Sequence, residues 1–94
     1  MTRLPKSKEA TRICKEWAAD FTQRGMHQDA AFWVEVAEQF KQGSTISEAA
    51  SSTIQREIDG RVHAGRTMAT MPMVGSAIAE IGKEAQRLRQ IIES

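Results

Sequence analysis

Apolar residues return every three or four positions along nearly all of this 94-residue chain, and that spacing admits one kind of fold. A helix turns once in about 3.6 residues, so such spacing lines one helical face, whereas a half-buried strand needs strict alternation. Alternation of β-branched residues is absent, and so is a hairpin dipeptide of the Asn-Gly type. The pattern predicts an all-α fold: a small bundle of three to four helices, with an N-terminal helical hairpin and a heptad-patterned C-terminal helix. The chain is short enough to be one domain, 1–94, with residues 1–6 as a flexible basic arm. A chain of this size buries only roughly 60–65% of its unfolded surface, which makes association an attractive source of further stability.

The first helix is expected over residues 7–24. Ser7 is its N-cap, Gly25 stands where a C′ glycine belongs, and Asp20 and Arg24 form an i,i+4 pair. Its stripe is Ala10, Ile13, Cys14, Trp17, Ala18 and Phe21. The second helix is expected over 28–42, ending at Gly43, with Phe32, Trp33, Val36, Ala37 and Phe40 inward. The short turn between the two predicts an antiparallel hairpin. Because Phe32 and Trp33 are adjacent, they point in different directions, which implies two buried faces on this helix.

Thr45-Ile46-Ser47-Glu48 has the spelling of a capping box and predicts the start of a third helix, followed by Ala50, Ile54, Ile58 and Val62 at spacings of four. Pro72 should end it. A fourth helix is expected over 74–93. Val74, Ile78, Ile81, Ala85, Leu88 and Ile92 follow spacings of 4, 3, 4, 3 and 4, a heptad seam that predicts self-association into a homo-oligomer, a dimer in its simplest form. Gly75, Ala79 and Gly82 lie beside that seam and would admit a second backbone closely, either another helix of this chain or a second copy.

One stretch invites a different reading. Residues 60–67, GRVHAGRT, are one residue away from the phosphate-binding spelling G-x-x-x-x-G-K-[ST]. A phosphate loop needs a preceding strand, a lysine and a parallel sheet; here the preceding segment is helical and the lysine position holds Arg66. The stretch is therefore expected to be a helix break at Gly60, with a second bend at Gly65, displaying Arg61, His63 and Arg66 as a candidate contact for a protein partner. Met71 and Met73 nearby, and Trp33 if partly exposed, complete the candidate partner-binding residues.

Catalysis finds little support. His27 and His63 have no ligand at metal-binding spacing, Cys14 lies within an apolar stripe, and Ser51 and Ser52 have no elbow motif. No pattern calls for a cofactor or a metal. Net charge is +1, but its distribution is uneven: residues 1–15 carry five basic groups against one acid, residues 16–59 three against eight, and residues 60–94 five against three. Nucleic-acid binding through the basic arm at residues 3–15 and Arg87 and Arg89 is thus an alternative. A helix-turn-helix is not, because no turn separates Ala50 from Ile54. A lone cysteine, the lack of an apolar leader and the lack of a spanning run predict a soluble cytoplasmic protein. The expected function is noncatalytic: an adaptor, subunit or inhibitor that works by occupying a surface, of a kind common on phages and mobile elements.

Overall fold

The computed structural model describes residues 2–68 and 75–93. Among these the chain is all-α, with four helices and one pair of two-residue strands. In order these are β1 (Thr2–Arg3), α1 (Lys8–Gln23), α2 (His27–Gln42), β2 (Thr45–Ile46), α3 (Glu48–Met68) and α4 (Gly75–Glu93). They fall into two compact units, Met1–Ile46 and Ser47–Ser94, each built on one pair of helices.

In the first unit α1 packs on α2. The Ser7 hydroxyl oxygen accepts the Ala10 N–H at 3.3 Å, which makes Ser7 the N-cap of α1 as its residue type predicts. The chain turns back through Gly25 at φ +77°, and α2 ends at Gly43 at φ +65°. Both need the left-handed backbone that glycine adopts without a Cβ clash. Between the helices the Trp17 and Trp33 rings meet edge to face with centroids 5.0 Å apart. Trp33 is only 2% exposed, and Phe32, half-buried, sets its ring edge-on to Trp33 at 5.4 Å. Ala10, Ile13, Cys14, Ala37 and Phe40 are fully buried, so the helical stripes are where their spacing puts them. Thr11, also buried, keeps its hydroxyl satisfied by donating to the Ser7 carbonyl at 2.9 Å.

The strands are a departure from the all-helical expectation. Thr2 pairs with Ile46 and Arg3 with Thr45, antiparallel. The Leu4 N–H then donates to the Ser44 carbonyl at 3.2 Å, and Leu4 is buried. The N-terminal segment read as a flexible arm is thus tied to the end of α2 over residues 2–4. This pairing also corrects the expected capping box. Thr45 and Ile46 are taken up by the ladder, and the cap falls to Ser47, whose hydroxyl accepts the Ala50 N–H at 3.1 Å.

In the second unit α3 packs on α4. Here the expected break fails: α3 runs through both Gly60 and Gly65 to Met68. Ile54, Ile58 and Val62 are buried, and so are Arg61 and Gly65. The helix keeps its buried face across the glycines, and that face outweighs the roughly 1 kcal/mol each glycine costs in helix propensity. Asp59 is ion-paired with Arg89, and Gly65 lies against Gly82. As one partner advances along α3 the other retreats along α4, so the two helices are antiparallel.

Candidate functional site

The described residues singled out as a contact site differ in exposure. Arg61 is buried at 8% exposure, on the side of α3 whose carbonyl at that position faces Gly82, and its Nε donates to Glu57 Oε1 at 2.8 Å. His63 and Arg66 are exposed. The expected display of both arginines at a turn is therefore wrong at Arg61: an unbroken helix turns it inward while leaving Arg66 out. Trp33 belongs to the other unit and is buried there, so it offers no surface. Met71 and Met73 lie outside the described residues.

The heptad residues of α4 divide in two. Ala85 and Leu88 are fully buried within the chain, and the small residue Gly82 meets α3 rather than a second copy. Ile78, Ile81 and Ile92 are only half-buried. Val74 lies outside the described residues. Three of the described seam's four large apolar groups thus keep surface that α3 does not cover.

Chemically active groups are sparse among the described residues. No three of His, Cys, Asp and Glu gather closely enough to hold a metal ion. Burial pushes the Cys14 thiol up from 9.0 to about 12, which keeps it protonated and unreactive as a nucleophile near neutral pH. No described helix is long and apolar enough to cross a membrane.

A feature that sequence reasoning missed lies at the strand end of the first unit. The ladder lays residues 4–7 beside the end of α2, where Gly43 and Lys6 approach each other. Lys8, Thr11 and Lys15 follow on one face of α1 at spacings of three and four. Together Lys6, Lys8 and Lys15, with Lys41 from α2, surround an open groove of about 830 Å³. Ser7, Thr11 and Gln42 complete its lining, and no carboxylate of the described residues belongs to it. The basic run at residues 6–15 was legible in the sequence; Lys41 was not, because it stands in the acidic middle of the chain and reaches the groove only through the hairpin.

Of the arginines credited with nucleic-acid contact, Arg3 and Arg87 are exposed and two others are held in ion pairs. Arg12 reaches Glu16 at 2.9 Å and Glu9 at 3.9 Å, and Arg89 is ion-paired with Asp59. The chain matches no protein-family model, no curated protein and no solved structure.

Proposed function

We propose that this chain is a noncatalytic helical interaction module that self-associates through α4 and acts as an adaptor, subunit or inhibitor of a protein partner in the reducing interior of a cell. The observation that carries this reading is the incomplete burial of Ile78, Ile81 and Ile92 on a heptad seam. Isoleucine loses little by ordering and gains about 25 cal/mol for each Å² of apolar surface removed from water, so three such residues in register favour a covered state. A second copy is the occupant that best suits the seam, because the three residues lie on one helical face that can meet the same face of a copy across a two-fold axis. The buried, protonated Cys14 suits a reducing setting, where no disulfide is needed.

The test is a paired substitution, Ile81→Glu with Ile92→Glu, followed by sedimentation over a concentration series. The natural chain should form a concentration-dependent dimer and the variant a monomer of unchanged helical content. Identical sedimentation of the two would reject the α4 seam as the contact.

A further inference from the structure

We propose that the lysine groove of the first unit is a binding site for a small polyvalent phosphate anion. Four lysines, Lys6, Lys8, Lys15 and Lys41, line one groove to which no carboxylate of the described residues belongs. None of the four is ion-paired with a carboxylate among the described residues. Like charges gathered in this way repel, and a bound anion relieves that repulsion.

Three features select phosphate and a small ligand. The charges are lysines, compact point charges on flexible stems that adapt to a tetrahedral, multiply charged group; planar pairing with carboxylates is the province of arginine. The groove lies at the start of α1, where Ser7 lines it with a hydroxyl able to donate and the helix dipole favours negative charge. Its extent is limited. Beyond Lys15 the surface of α1 turns to Glu16 and Arg12, already joined at 2.9 Å, so the uncompensated charge does not continue as the track a nucleic-acid backbone follows. A groove of about 830 Å³ is of the size that takes a small ligand, and the apolar stems of the lysines leave room for an uncharged portion beside the phosphates.

The experiment is titration calorimetry at low ionic strength with sodium tripolyphosphate, read together with the thermal unfolding midpoint. Adenosine triphosphate without a divalent cation, a single-stranded DNA oligonucleotide and polyglutamate are run alongside. Tripolyphosphate or the nucleotide is expected to bind, to raise the midpoint and to weaken with added salt. The nucleotide binding better than tripolyphosphate assigns the apolar stems to an organic portion; equal binding assigns the site to the phosphates alone. The Lys8→Gln, Lys41→Gln double variant should lose about tenfold or more in affinity, and Lys83→Gln should lose none. Lys15→Gln alone gives the same reading through a smaller loss if the double variant does not fold. Absence of binding at low ionic strength overturns the proposal. So does binding that the lysine variants leave unchanged, or tighter binding of DNA or polyglutamate than of either phosphate ligand.

Discussion

Gly65 of α3 and Gly82 of α4 meet backbone to backbone: a Cβ built on Gly65 would lie 2.6 Å from the Cα of Gly82, and one built on Gly82 would lie 2.8 Å from the Cα of Gly65. Neither distance is tolerated between carbon atoms, so the two glycines set how closely the helices approach. The antiparallel register follows from the same contact, with Asp59 and Arg89 closing it on one side.

Alanine at either glycine should therefore destabilise the second unit, although alanine is the better helix former. The expected loss is about 1–3 kcal/mol, the usual range for overpacking a close contact. Gly60 is the control. A Cβ there meets nothing within 4 Å, so Gly60→Ala should gain up to about 1 kcal/mol. Urea unfolding followed by circular dichroism measures all three. A gain at Gly65 or Gly82 would show that the helices sit farther apart than described.

The close approach at Gly82 was legible in the sequence; its partner, Gly65, was not. A glycine in a helical pattern signals either an end or a close approach, and the choice rests on what lies opposite in space. At Gly25 and Gly43 the end was correctly read, because a cap is a local matter of φ and of the few residues before it. At Gly65 the deciding neighbour is Gly82, on another helix, and the break expected there became a contact. Ser47 was missed as a cap for the same reason: the ladder that claims Thr45 and Ile46 comes from Thr2 and Arg3, far away in sequence. The lysine groove shares this origin, since Lys41 joins Lys6, Lys8 and Lys15 only after α1 and α2 have packed.

The caps make a second prediction. Ser7→Ala and Ser47→Ala each remove the hydroxyl acceptor of a first-turn N–H, at 3.3 Å and 3.1 Å respectively. Each should cost about 1 kcal/mol. Thr45→Ala, by contrast, should cost no cap energy, because its residue lies in β2. A larger cap effect at Thr45 than at Ser47, measured by chemical unfolding, would return the start of α3 to the capping box.

Alkaline pH tests the burial of Cys14. Its folded value, about 12, lies above its ordinary 9.0, so the folded chain holds a proton that the unfolded chain releases between them. Its contribution to stability is fully present below pH 9.0 and is lost as pH rises toward about 12. The slope from this one group is about 1.4 kcal/mol per pH unit within that window. Cys14→Ala should unfold with a correspondingly shallower pH dependence, whatever its stability at neutral pH. In the natural chain a thiol reagent should react only as fast as the fold opens. Parallel pH slopes for the two chains, or prompt labelling under native conditions, would contradict the buried position.

The two indoles should be energetically coupled. Trp17→Phe and Trp33→Phe, made singly and together, form a cycle across the edge-to-face contact at 5.0 Å. The expected coupling is about 0.5–1.5 kcal/mol. Additive losses would mean that the rings are neighbours without a specific interaction.

If the partly buried isoleucines of α4 join two copies of the chain, the molar mass in solution follows concentration. Light scattering across a dilution series should give about twice the chain mass of 10.5 kDa at high concentration, falling toward the single-chain value on dilution. A mass of 10.5 kDa at every concentration would contradict it.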